Sequence, residues 1–254
     1  MKQFSYFISL GYFCSPALEL ERIGLRSTSL PFDWVISDFE GVIDAIENHF
    51  EDFLDYQYLL QSNDVRNQYY NAKYKTWFYH DFDEYHSLSE QLPRVVEKYT
   101  RRIQRFYEII NQPTLFLRYI SDETKNKNTN RSVELEWIER NQERIVHLLK
   151  SYNSNNEIIF LANNEVQSDI IKIYSVDKDE NDLVARRPLD KNSELKELLM
   201  SFDYEAREQN ILLYNSKQKK NKTLRKLYRQ VLSFCKHLFA KKYVHNQIYK
   251  ASPN

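Results

Sequence analysis

The sequence predicts an α/β fold: a mostly parallel Rossmann-like sheet covered by helices, followed by a basic amphipathic C-terminal helix. Three observations predict it. Short apolar runs closed by turn residues alternate with stretches whose apolar positions recur every three or four residues, the order that builds a parallel sheet. Hydrophobic residues make up 42% of the 254 and aromatic ones 15%, sufficient for a large buried core. The charges are divided: 209–254 holds 11 basic residues and no acidic one, so 1–208 is left with a net charge of −11. This predicts an α/β domain over 1–215 and a separate basic helix over 216–254.

Taken in order, Phe4 to Leu10 is an apolar run closed by Gly11, a buried first strand. Ser15 is placed as an N-cap with Pro16 at the first helical position, and Gly24 stands where a helix ends in a left-handed residue, giving a helix over 16–23. Val42, Ile43, Ile46, Phe50, Phe53 and Leu54 mark a second helix within Phe39–Leu54. Residues 56–82 are rich in Tyr, Asn, Trp and Phe without a helical stripe, which predicts short strands and loops. Val95, Tyr99, Ile103, Phe106 and Ile110 give a helix from Pro93 to Ile110, ended by Pro113. Thr114–Tyr119 reads as a strand, Val133–Tyr152 as a helix and Glu157–Leu161 as another strand. Ser121–Arg131 is a polar loop at the carboxyl end of the 114–119 strand, where open sheets place ligands. Asn210–Tyr214 reads as a last strand.

Composition excludes several functions. Gly11, Gly24 and Gly41 are the only glycines, too few for a Walker loop or a dinucleotide fingerprint. Cys14 and Cys235 lie far apart with no Cys/His cluster, which excludes a disulfide framework and a structural zinc site, so no metal and no cofactor is expected. Tyr12 and Phe13 before Cys14 are too bulky for signal cleavage, and no run approaches the roughly 20 apolar residues of a membrane span. The expected location is cytoplasmic.

Chemistry concentrates at Gly11-Tyr12-Phe13-Cys14-Ser15-Pro16. A cysteine beside a helix start sits in a positive field that favours the thiolate, the form a cysteine hydrolase needs. The alternative is a small buried hydrophobe. His80 is the candidate base, with His86 a weaker rival; Asp33 or Asp81 is the candidate orienting group, and strand alternation favours Asp33 because Asp81 adjoins His80. His80 is otherwise a half-exposed loop histidine. Arg118 closes a buried strand and either binds a substrate anion or pairs with an internal acid. Arg26 is a further basic residue for an anionic substrate.

At these residues a family resemblance is visible. Ile8-Ser9-Leu10-Gly11-Tyr12-Phe13-Cys14-Ser15-Pro16-Ala17, then Gly24-Leu25-Arg26, Leu30-Pro31-Phe32-Asp33-Trp34, His80-Asp81-Phe82 and Phe116-Leu117-Arg118 resemble the bacterial family of unknown function DUF1796, labelled as papain-like cysteine peptidases. The resemblance covers about 5–165, and the block from the cysteine to PFDW is its most specific part. It implies Cys14 as nucleophile and His80 as base. Papains differ in carrying a Cys-Gly-Ser-Cys-Trp-type block and a longer gap than the 66 residues from Cys14 to His80.

Three functions follow as expectations. The first is a cysteine hydrolase with Cys14, His80 and Asp33 as catalytic residues and Arg118, Arg26, Trp34 and Asp81 around a peptide or glycan-type substrate. The second, which the resemblance implies, is a transferase or accessory protein of surface polysaccharide synthesis that binds an anionic sugar donor through Arg118 and Arg26. In the third, a binding module, Trp34 is a core anchor and Asp33 a cap. The tail over 216–250 either docks on an anionic membrane at the inner face or packs on the acidic body; with few aromatics beyond Tyr228 and Tyr243, nucleic acid ranks lowest.

Overall fold

The computed structural model describes residues 3–180, 182 and 184–223. Two units divide the chain, 1–210 and 211–254. In chain order the first contains β1 (Tyr6–Ser9), α1 (Ser15–Arg22), β2 (Val35–Ser37), α2 (Phe39–Glu47), β3 (Leu59–Gln61), β4 (Tyr69–Asn71), β5 (Thr76–Phe78) and α3 (Leu88–Ile110). Then come β6 (Thr114–Tyr119), α4 (Val133–Arg140), α5 (Gln142–Tyr152), β7 (Glu157–Asn163), β8 (Ile173–Val176), α6 (Pro188–Lys191) and α7 (Ser193–Ser201). In the second unit, 211–223 is helical.

The fold is mixed α/β with a parallel sheet at its centre. That sheet has the order β1-β6-β7-β8, every pair parallel, with Ile8 opposite Phe116 and Leu117 opposite Ile159. Both faces are covered, as a parallel sheet requires. Ile8, Phe116, Phe160 and Ala162 join one core with side chains of α2, α3, α4 and α5; Phe7, Leu115, Leu117, Tyr119 and Leu161 join a second with Leu20, Leu195 and Leu199. Each such fully buried side chain contributes roughly 1.5–3 kcal/mol. A second sheet, antiparallel in the order β2-β5-β4-β3, lays Val35, Phe78, Tyr69 and Leu59 on the first core, where Phe32, Phe50, Phe53 and Phe106 pack ring against ring.

Several expectations are corrected. The short strands foreseen within 56–82 are three in number and assemble with β2 into a sheet of their own. The helix expected to reach Leu54 stops at Glu47, because His49, Phe50 and Asp52 take left-handed backbone conformations. α3 begins at Leu88, five residues before Pro93: Ser87 and Glu90 form a reciprocal capping box, a signal stronger than the proline. The helix expected over 133–152 is two helices broken at Asn141, which ends α4 and precedes α5. Asn210–Tyr214 is helical rather than extended. Residues 216–223 are helical, and the rest of the expected 216–250 helix lies outside the described residues. No helix among the described residues is long and apolar enough to cross a membrane.

Candidate functional site

The chain leaves β1 through Leu10 and Gly11 at the carboxyl end of the parallel sheet. Tyr119 N–H donates to the Gly11 carbonyl (3.0 Å) and Ser37 N–H to the Tyr12 carbonyl (3.2 Å), so this exit is stitched both to β6 and to the end of β2. Gly11 has φ +78°, and a Cβ there would stand 2.9 Å from Ser37 Oγ and 3.2 Å from Arg118 Nη1. Both the conformation and the crowding require glycine. Cys14 follows as the N-cap of α1, a half-buried free thiol, with Ser15 and Pro16 already in the first turn. The N-cap is therefore Cys14 and not Ser15. Burial pushes the Cys14 thiol up, the Asp182 carboxylate adds to the rise and its own backbone N–H opposes it, so the expected thiolate is not the resting form.

Arg118, fully buried on β6, reaches under this exit. Its Nε and Nη2 hold the two oxygens of Glu134 at 2.9 and 2.7 Å, Nη1 donates to the Leu10 carbonyl (2.8 Å) and Ser37 Oγ (3.2 Å), and Nη2 also donates to the Ser37 carbonyl (2.6 Å). Of the two roles left open for Arg118, the structure displays the pairing with an internal acid. Glu134 also accepts from Phe39 N–H (3.3 Å) and Ser121 N–H (3.3 Å), so one carboxylate joins α2, α4 and the loop after β6. Burial raises the Glu134 pKa, and Arg118 with the Ser121 N–H acts against that rise.

Asp33 is completely buried, and its Oδ2 closes a turn by accepting from Leu30 N–H (2.5 Å) and from Arg26 Nη2; Oδ1 has no hydrogen-bond partner. Burial raises its pKa, opposed first by Arg26. Arg26, itself buried, donates Nη1 to the Ala17 carbonyl (3.0 Å), and its guanidinium lies 6.0 Å from the centre of the Trp34 ring. Trp34 Nε1 donates to Ser29 Oγ (3.3 Å). Asp81 is bonded to Lys98 and to Tyr99 Oη (3.1 Å) on α3. Arg26, Asp33, Trp34 and Asp81 thus hold the 26–34 segment and the residues after β5 in place.

His80 is exposed and makes no hydrogen bond or ion pair among the described residues. His86, the rival, is engaged by Asp83 at 2.9 Å in the turn before α3 and holds that carboxyl below its usual range. β2 links the two regions at its opposite ends: Val35 pairs with Phe78, two residues before His80, and Ser37 N–H donates to the carbonyl of Tyr12, two residues before Cys14. The Glu123 carboxylate acts on a neighbour of each: it adds to the raised pKa of Tyr12, two residues before Cys14, and of Tyr79, beside His80. Burial is the largest cause of the rise at each tyrosine.

Ser37, Glu123 and Glu134 were not singled out in the sequence, and Tyr12 only as part of the block around Cys14. Glu123 carries no local signal, being one acid in a polar loop. Glu134 was legible in one respect, as one of two acids, with Glu136, in the first turn of the helix after the β6 loop. Among the described residues no group of three or more His, Cys, Asp or Glu is arranged to hold a metal ion.

The family model described as "Putative papain-like cysteine peptidase (DUF1796)" matches residues 5–155, which include Cys14, Asp33, His80, Arg118 and Glu134. Uncharacterized protein R408 of Acanthamoeba polyphaga mimivirus is 32% identical over 180 residues, covering 63% of this chain and 76% of the viral one. No solved structure matches.

Proposed function

The chain belongs to the DUF1796 family, and from that premise we propose that it is a cysteine hydrolase acting on an acyl group of a peptide, with Cys14 as nucleophile and His80 as general base. The observation that carries the reading is the position of Cys14: a half-exposed thiol at the carboxyl end of the first parallel strand and at the N-cap of α1. A nucleophile there faces the ligand crevice of an open sheet, and the free N–H groups of the helix start point toward an oxyanion formed beside it.

Because burial holds the thiol in its protonated form, attack requires a base, which favours a proton-transfer pair over a preformed thiolate. His80 has no competing partner among the described residues. In the proposed cycle His80 takes the thiol proton as Sγ bonds to the acyl carbon, and gives it to the leaving amine as the carbon–nitrogen bond breaks. Water then attacks the thioester with His80 as base, releasing the acid and restoring the thiol. Asp33, buried and without a bond to His80, acts as a positioning residue: its Oδ2 fixes the turn before Trp34 by accepting from Leu30 N–H and Arg26. Arg26 and Asp81 act as positioning residues through the bonds described above.

Hydrolysis of a fluorogenic peptide library by the wild type, Cys14→Ala and His80→Ala tests this. Loss of turnover in both variants, with folding retained, is expected; full turnover in Cys14→Ala contradicts it. The sugar-donor alternative is not favoured, since the guanidinium it relies on has all five donors occupied by the protein.

A further inference from the structure

A cavity of about 310 Å³ opens between the start of α2, the loop after β6 and α4. This is the lower end of the roughly 300–1,000 Å³ spanned by ligand pockets, the size for one side chain rather than a cofactor. It shares two residues with the surroundings of the candidate site: Ser121 is in its wall, and so is Glu134, which holds the Arg118 that donates to the Leu10 carbonyl.

Its lining has two parts. One wall is apolar and aromatic, formed by Val133, which is 40% exposed, Trp137 and Phe39, whose rings meet edge to face at 6.1 Å. The other is charged, and most of its charges are answered from within the protein. Lys75 is paired with Glu40, Glu134 is held by Arg118, and Arg140 donates to the Glu136 carbonyl (3.1 Å) with the Glu136 carboxylate beside it. Asp38 remains. It is the exposed N-cap residue of α2 and its side chain makes no capping bond, while the adjacent Phe39 N–H donates to Glu134. Partial desolvation raises its pKa, Arg118 and Lys75 oppose that, and the neighbouring carboxylates of Glu40 and Glu123 add to it. A cavity that combines an apolar wall with a carboxylate making no hydrogen bond is what a long cationic side chain needs. Its methylenes lie on the wall and its charged head meets the acid.

We propose that this cavity is a substrate subsite for a lysine or arginine side chain of the peptide whose acyl carbon is presented to Cys14. The proposal deepens the hydrolase reading and rests on it for the identity of the ligand. Asp38 is the specificity-determining residue, and Trp137 and Val133 supply the surface for the stem. A glutamate in the same place brings a second carboxylate beside Asp38, Glu40 and Glu134, so discrimination works by repulsion as well as attraction.

Two measurements test it separately from the nucleophile. Calorimetric titration of wild type and Cys14→Ala with Nα-acetyl-arginine amide and Nα-acetyl-glutamate amide reads the cavity alone. The expected result is binding of the arginine compound to both proteins, an affinity at least tenfold weaker in Asp38→Asn, recovery in Asp38→Glu, and no binding of the glutamate compound. Peptidyl acyloxymethyl ketones with arginine or glutamate beside the reactive group then read the coupling to Cys14, with modification at least tenfold faster for arginine. Absent arginine binding, binding indifferent to Asp38, or equal modification rates overturn the subsite. Arginine binding governed by Asp38 with no adduct on Cys14 from either peptide supports the cation site and overturns the nucleophile reading.

Discussion

Arg118 and Glu134 form a two-point ion pair at 2.9 and 2.7 Å, with Arg118 fully buried and Glu134 nearly so, directly beneath the turn that delivers Cys14. Removing either partner leaves an uncompensated charge in the interior, which costs about 3–5 kcal/mol. Urea denaturation of Arg118→Ala and Glu134→Ala should each show a loss of that size, with the double variant losing clearly less than the sum of the two. A loss under about 1 kcal/mol in either single variant contradicts the described geometry.

The two crowded glycines should rank in a definite order. A Cβ on Gly41 meets the Tyr74 carbonyl oxygen at 1.9 Å, a backbone atom of the turn between β4 and β5, whereas on Gly11 it meets the Ser37 hydroxyl at 2.9 Å under a strained φ of +78°. Gly11→Ala is expected to cost on the order of 1–3 kcal/mol, and Gly41→Ala more, since α2 must separate from the 71–76 turn. Thermal unfolding of both variants checks the order.

The capping box at the head of α3 predicts a smaller effect. Ser87→Ala removes the acceptor for Glu90 N–H (3.4 Å) and should destabilise by about 1 kcal/mol, read as a lowered midpoint with unchanged denaturant dependence.

The chain's own grammar made part of this legible. β6 falls on the residues expected from Thr114-Leu115-Phe116-Leu117-Arg118-Tyr119, since a run buried on both sides and bounded by Pro113 admits little else. α1 was readable from Pro16 and Gly24, whose φ of +75° supplies the left-handed turn. The antiparallel sheet was not, because strands of three residues such as Thr76–Phe78 carry too few positions to show alternation. In the site, Cys14 and His80 stood out by residue type. Arg118 was legible as one of two roles and Asp33 as a candidate cap, but their partners Glu134 and Arg26 were not, because which charge a buried group meets leaves no local pattern.

A pH dependence follows for Cys14. Its folded pKa is raised by burial, so the reactive thiolate appears only at higher pH than in a free thiol. The rate of alkylation by iodoacetamide should stay low through neutrality and rise with a midpoint above the ordinary thiol value of about 8.5. Asp182→Asn, which removes a neighbouring negative charge, should shift the midpoint down.

The central claim is that Cys14 carries the acyl group during turnover, and acid-quench mass spectrometry of the protein mixed with a peptide ester tests it most directly. The account predicts a transient mass increase equal to the acyl group, localised to the peptide containing Cys14, formed far more slowly in His80→Ala and absent in Cys14→Ala. Ester hydrolysis by the wild type with no acyl adduct at Cys14, or an adduct that forms as fast in His80→Ala, contradicts it.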